Sequence, residues 1–232
     1  MSIVFQPPLI KGTLVKRQNR FVAQVMVDND KHLAHVPNTG RMKEFMVPGA
    51  DVWIRPATTT GRKTAYDLLL IREGESMVYI DSRGANQMIY EAINRGELAK
   101  YFPVVKDIKR EVVYGNSRMD MAVFDGYYHH LIEIKCVTLV KEGRAMFPDA
   151  PTQRGTKHIK DLIRAVEEGY KSWLVFVVQR QDGTSFSSNH STDPLFSETV
   201  KYGASKGVNL LALNCVVDTS AVALNDVIDI FL

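Results

Sequence analysis

The chain has 232 residues, 45% hydrophobic and 24% charged, with a formal net charge of +3 at pH 7, an ordinary globular composition with room for one well-buried domain or two small ones. Its two cysteines, Cys136 and Cys215, lie far apart in apolar runs, so they read as thiols buried in a reducing cytosol, against a disulfide or a zinc site. Met1–Ile10 lacks a basic n-region and is broken by Pro7-Pro8, against a signal peptide, and the longest apolar run, Trp173–Val178, is too short to cross a bilayer; the expectation is a cytoplasmic protein with no membrane partner.

The charge is unevenly placed. Residues 1–80 hold 11 Lys+Arg against 7 Asp+Glu, and the remainder holds 18 against 19. Lys11, Lys16, Arg17 and Arg20 all precede the first acidic residue, Asp28, and make either a phosphate-facing surface or a solvated rim. Phe21–Val27 reads as a strand after a basic turn. His32–His35 leads into Pro37-Asn38-Thr39-Gly40, Asp51–Arg55 is a further strand, 58–63 a loop, and Ala65–Arg72 another strand. Short strands at this spacing predict a five-stranded barrel of the OB type over residues 1–80, a fold that holds single strands on aromatic platforms beside cationic grooves. Phe21, Phe45, Trp53 and Tyr66 are platform candidates or, more simply, core and rim. Arg41, Lys43, Arg62 and Lys63 are candidate phosphate contacts.

From Ala85 the period changes. Met88, Ile89, Ala92 and Ile93 mark a helix ending near Gly96, followed by a strand over Ile108–Tyr114 and a Gly115-Asn116 turn. After the next hairpin, Ile159, Leu162, Ile163, Val166 and Tyr170 stripe a long helix. Trp173–Val178 is a buried strand, Asp193-Pro194 opens a helix ending at Gly207, and Val208–Leu213 is again apolar. Strands that each follow a helix imply parallel crossovers onto a mixed sheet over residues 81–232. The fold class is therefore α/β with an all-β N-terminal domain.

The chemistry lies in the hairpin. Met119–Phe124 and Leu131–Leu139 read as strands joined near Gly126–Tyr127, which sets Asp120 opposite Glu133 or Lys135. Alternation puts Glu133 and Lys135 on one face, Ile132 and Ile134 on the other. Two carboxylates and an ammonium suit Mg²⁺ (or Mn²⁺) bound by Asp120 and Glu133, with Lys135 beside it, for phosphodiester hydrolysis. The plainer alternative is a solvated strand face, and Asp107-Ile108-Lys109 is a decoy of the same pattern.

The order of elements, with an acid on one strand and Glu-x-Lys on the next, resembles the restriction-endonuclease-like, PD-(D/E)XK, nuclease core. The segments His35-Val36-Pro37-Asn38-Thr39-Gly40-Arg41-Met42, Gly115-Asn116-Ser117-Arg118-Met119-Asp120 and Glu133-Ile134-Lys135-Cys136-Val137-Thr138-Leu139-Val140 resemble motifs of the sugar fermentation stimulation protein family. So do the stretch from Phe147 to His158, Val175–Arg180 and Thr192-Asp193-Pro194. The resemblance implies an OB-like barrel joined to a nuclease-like domain, DNA as partner with RNA left open, and a role in maltose or other sugar metabolism. It places Asp120, Glu133 and Lys135 at the metal-site positions. The two functional expectations are a metal-dependent nuclease and a non-catalytic DNA-binding regulator; nothing sets the oligomeric state.

Other residues are read as follows. Arg154, Lys157 and His158 share a helix face and suit a phosphate clamp. Glu91 is a surface acid or an extra ligand. Adjacent His129 and His130 point apart on a strand and serve as turn fillers, and Asp125 belongs to turn chemistry. Gln179 and Arg180, at the end of a buried strand, are further site candidates.

Overall fold

The protein is described by a computed structural model that covers residues 2–58 and 61–232. The expected 58–63 loop contains Thr59 and Thr60, which lie outside the described residues. In chain order the first strands are β1 (Ser2–Val4), β2 (Ile10–Asn19), β3 (Val22–Val27), β4 (Asp30–His35), β5 (Asp51–Pro56), β6 (Tyr66–Glu73) and β7 (Ser76–Tyr79). They pair in the order β4-β3-β2-β5-β6-β7, and a parallel β4–β6 pairing closes five of them into an OB-like barrel. Alternating inward residues on β2 and β3, among them Leu14, Ala23 and Val25, fill it together with Phe45, Ile54 and Leu68.

The basic stretch before Phe21 is not a turn. Lys16 and Arg17 lie on β2, ten residues long, and the turn falls at Arg20 and Phe21. The outer half of β2 buries little, so it lacks the apolar alternation that marks a strand.

The second half comprises α1 (Ser82–Asn94), β8 (Asp107–Tyr114), β9 (Ser117–Phe124), β10 (His129–Val137), β11 (Leu139–Lys141), β12 (Arg144–Phe147), α2 (Gln153–Glu167), β13 (Lys171–Val178), β14 (Ser185–Ser188), α3 (Pro194–Ser205), β15 (Asn209–Val217), β16 (Ala221–Val227) and β17 (Asp229–Phe231). The main sheet is mixed, in the order β1-β16-β15-β13-β10-β9-β8, with β10, β13 and β15 parallel. Met88, Ile89, Ala92 and Ile93 of α1 cover one face, and α2 and α3 cover the other. β1 joins this sheet through β16, although it precedes the barrel in sequence. A small sheet of β11, β12, β14 and β17 was not anticipated, because strands of three or four residues carry no readable period. Among the described residues, no helix is long and apolar enough to cross a membrane.

The barrel is tied to the main sheet by the segment after β4. Asn38 Nδ2 donates to the Ile80 carbonyl at 3.0 Å, Ser82 N–H and Oγ donate to the Pro37 carbonyl, and Met42 N–H donates to Asp149 Oδ2 at 3.1 Å. Arg17 donates to the carbonyls of Arg41, Arg20 and Asn38. Arg180, 3% exposed, donates to Glu73 of the barrel and to Asp182. Gln179 donates to the Asp81 carbonyl at 3.1 Å. Arg180 thus ties the two halves together, as does the Gln179 carbonyl, which accepts from Tyr79 N–H at 2.9 Å.

Candidate metal and nucleic-acid site

The β9–β10 ladder runs from His129–Phe124 to Ile132–Met121 and stops there. One step further Asp120 would face Glu133 as a ladder pair, but the pairing of β9 with β10 ends at this point while β9 continues along β8. Met121 packs on the α1 side of the sheet and Met119 on the α2 side, so alternation breaks at Asp120. The freed Ile134 N–H donates to Asp120 Oδ2 at 2.7 Å, and Asn86 Nδ2 of α1 donates to Oδ1 at 2.7 Å. The carboxylate therefore replaces a missing ladder bond. Burial first, and the charge of Glu133 second, hold its pKa above the ordinary carboxylate range.

Glu133, 3% exposed, points to the α2 side with Lys135, as alternation predicts. Its Oε1 accepts from Lys135 Nζ and from His158 Nδ1. Burial works to raise its pKa, but the Lys135 ammonium and the His158 contact outweigh that, and the net direction is down. Glu133 Oε2 is buried without a hydrogen-bond partner. A buried carboxylate oxygen facing nothing is costly, and a hard cation is one species that would relieve it. Among the described residues no cluster of three or more His, Cys, Asp or Glu side chains is arranged to hold a metal. Two carboxylates suit Mg²⁺ or Mn²⁺, which keep water and substrate oxygens as their other ligands, and do not suit a closed zinc site.

Lys135 opens onto a cleft of about 470 Å³ whose floor is Ile134–Cys136. One wall is Asn38–Arg41 of the barrel with Arg20; the other is Phe147–Thr152. Arg17, Arg20, Arg41 and Lys43 line an adjoining groove. On the other side of Glu133, Arg154, Lys157 and His158 line a hollow with Arg118. Cations from both halves of the chain thus line the spaces that Lys135 and His158, the two partners of Glu133, open onto, and neither Asp120 nor Glu133 itself lines them.

The other predicted phosphate contacts are dispersed. Lys11 pairs with Asp51 at 2.9 Å and lies over the Trp53 ring, while Arg62 pairs with Asp67 at 2.6 Å. Arg17 holds the loop backbone, as above. Lys16 and Lys63 are exposed and line neither cleft nor groove. His158 is buried against Glu133 while its other ring nitrogen accepts from Arg154 Nε at 3.4 Å, and Lys157 donates to the Asn116 carbonyl at 2.9 Å. Glu91 accepts from Gln87 and pairs with Arg95; the α1 side chain that reaches the site is Asn86, which no motif marked. His130 is no turn filler: it is buried between Asp125 and the Trp173 indole. Asp125 does cap the turn, accepting from the N–H groups of Tyr127 and Tyr128. Cys136, half-buried, lines the cleft, and burial pushes its thiol pKa up.

Residues 15–80 match the family model described as the SfsA N-terminal OB domain, and residues 83–221 match the sugar fermentation stimulation protein RE domain. A sugar fermentation stimulation protein homolog of Alkaliphilus metalliredigens is 43% identical over 233 residues, covering 100% of both chains. One of Acetivibrio thermocellus is 44% identical over 211 residues, 90% of each. Among solved structures, Pyrococcus furiosus SfsA in complex with Ca²⁺ superposes with a TM-score of 0.92 at 29% identity over 100% of both chains. The two halves, their order and these full-length likenesses place the chain in the sugar fermentation stimulation protein family.

Proposed function

We propose that this protein is a divalent-metal-dependent hydrolase of nucleic-acid phosphodiesters, with DNA as the first substrate to test and the cytoplasm as its setting. The observation that carries the reading is the half-buried Asp120 with the buried Glu133, one oxygen of Glu133 unpartnered, beside a lysine that opens onto a cation-lined cleft. Asp120 and Glu133 are the residues that would hold Mg²⁺ or Mn²⁺. The relative from Pyrococcus furiosus was solved with Ca²⁺, a cation of the same oxygen-seeking class. When bound, such a cation polarises a phosphoryl oxygen and lowers the pKa of a water.

The chain's own residues do the rest. Asn86 and the Ile134 N–H fix the Asp120 carboxylate, and His158 fixes Glu133. The Lys135 ammonium, held on Glu133 at the floor of the cleft, would orient a water or steady charge growing on phosphate. Arg20, Arg41 and Lys43, which line the cleft and its groove, with Arg118, Arg154 and Lys157, which line the hollow, would hold the backbone of the strand. Two free cysteines, neither in a disulfide, suit a reducing compartment.

The test is incubation of labelled single- and double-stranded DNA and RNA with the protein and Mg²⁺, Mn²⁺ or EDTA. Metal-dependent cleavage that disappears in Asp120→Ala is expected. Tight binding without cleavage under any of these conditions overturns the hydrolase and leaves a DNA-binding regulator of sugar metabolism.

A further inference from the structure

Phe21 stands apart from every other aromatic ring of the barrel. Phe45, Trp53 and Tyr79 are buried, and Tyr66 is partly covered and meets His32 edge-on, whereas Phe21 is 51% exposed. It is exposed on a fixed backbone. Its N–H donates to Asn19 Oδ1 and its carbonyl accepts from Val36 N–H, both at 2.8 Å. Single exposed apolar residues are common and usually mean nothing. This one lines a hollow of about 220 Å³ with His35 and Arg83, and that hollow shares Asn38, Thr39 and Ser82 with the cleft above Lys135. Arg20, its chain neighbour, lines the cleft itself. A flat apolar ring thus lines a hollow contiguous with the cleft, beside His35 and Arg83, which pair with Asp67 and Asp81, and next in sequence to Arg20 of the cleft wall.

We propose that Phe21 is a stacking platform for one unpaired base, which makes single-stranded or locally melted nucleic acid the substrate class; this rests on the hydrolase reading above. In a duplex both faces of each base are covered by neighbours, so a ring fixed beside the strand gains a partner only where a base is unstacked. The volume of the cleft, about 470 Å³, is in the range of small-molecule pockets and suits one strand threading between Asn38–Arg41 and Phe147–Thr152. The cations that flank it would follow the backbone, while Phe21 takes the base without choosing its identity.

The experiment measures binding in EDTA, so that cleavage does not intrude. Labelled oligo(dT), an abasic sugar-phosphate oligomer of the same length and a duplex are titrated with wild type, Phe21→Ala and Phe21→Trp by fluorescence anisotropy. Wild type should prefer oligo(dT) to the abasic oligomer. Phe21→Ala should bind oligo(dT) at least about fivefold more weakly, the low end for loss of one base–aromatic stack, and should lose that preference. Phe21→Trp should restore it, and duplex binding should be the same for all three. Phe21→Ala binding oligo(dT) as wild type does overturns the platform, while metal-dependent cleavage by wild type would keep the hydrolase reading. Wild type that binds none of the three also overturns the platform, while the hydrolase reading stands or falls separately on cleavage with Mg²⁺ or Mn²⁺.

Discussion

Asp107-Ile108-Lys109 and Glu133-Ile134-Lys135 carry the same kinds of side chain in the same order, each within a strand, yet they sit in opposite physical worlds. The first lies on β8, at the edge of the main sheet, where Lys109 and Asp107 meet at 3.4 Å with side chains 72% and 54% exposed. The second lies on β10, between β9 and β13, with side chains 12% and 4% exposed for Lys135 and Glu133. Water screens the edge pair and leaves it nearly worthless. The inner pair is desolvated, so its charges act strongly on one another, on Asp120 and on anything that enters the cleft. An acid-x-lysine triplet becomes a candidate site through its place in the sheet.

The largest expected difference between the triplets is in catalysis. Lys135→Ala should lower single-turnover cleavage by at least about 100-fold while keeping most nucleic-acid affinity, because many other cations contribute to binding. Lys109→Ala should leave the rate unchanged. Equal effects at the two positions would erase the distinction.

Stability without metal should separate them next. Lys135→Met leaves Glu133 buried with one partner fewer and should cost about 3 kcal/mol in chemical denaturation. Lys109→Met, at an exposed pair, should cost less than about 1 kcal/mol.

Metal and pH sharpen the inner site further. At 100 times its dissociation constant, Mg²⁺, Mn²⁺ or Ca²⁺ should add about 2.7 kcal/mol to the stability of the folded state, read as a rise in melting temperature. Asp120 is held above its unfolded pKa by burial and by Glu133, so the folded protein binds that proton more tightly and loses stability as pH rises through this window. Glu133 runs the other way: its lowered pKa contributes stability above the unfolded value that is lost as pH falls through the folded one. A cation needs Asp120 ionised, so the metal-dependent shift should grow as pH rises through the raised Asp120 range, and Asp120→Asn should abolish that growth. A shift independent of pH would place the metal elsewhere.

The smallest effect concerns the wall that the edge triplet lacks. A methyl group on Gly40 would meet Asp149 Oδ2 at 2.8 Å and Asn38 Oδ1 at 3.0 Å, the groups that hold the barrel loop over the cleft. Gly40→Ala should cost about 1 kcal/mol and weaken nucleic-acid binding modestly. No change in either would mean that the loop adapts freely.

Much of this architecture is written locally. The α2 stripe, the Asp193 cap of α3, the apolar β13 and the Asp125-Gly126 hairpin turn each depend on neighbours a few residues away, so period and turn chemistry reveal them. The same holds for Glu133 and Lys135 sharing a face. β2 escaped because its outer half buries little, and the small sheet because its strands are too short for a period.

What the sequence determined by itself was the list of groups and their local frames: two carboxylates, a lysine, a hairpin to bring them near, and a basic N-terminal half. Tertiary structure decided which of them act together. His158 reached Glu133 across 25 residues, Asn86 reached Asp120 across 34, and the barrel loop closed one wall through Asp149 across 107. It also withdrew Arg17, Arg62 and Arg180 into internal bonds. Such pairings depend on how sheets and helices pack, which is set by burial summed over the whole core and leaves no trace in the spacing of the residues involved.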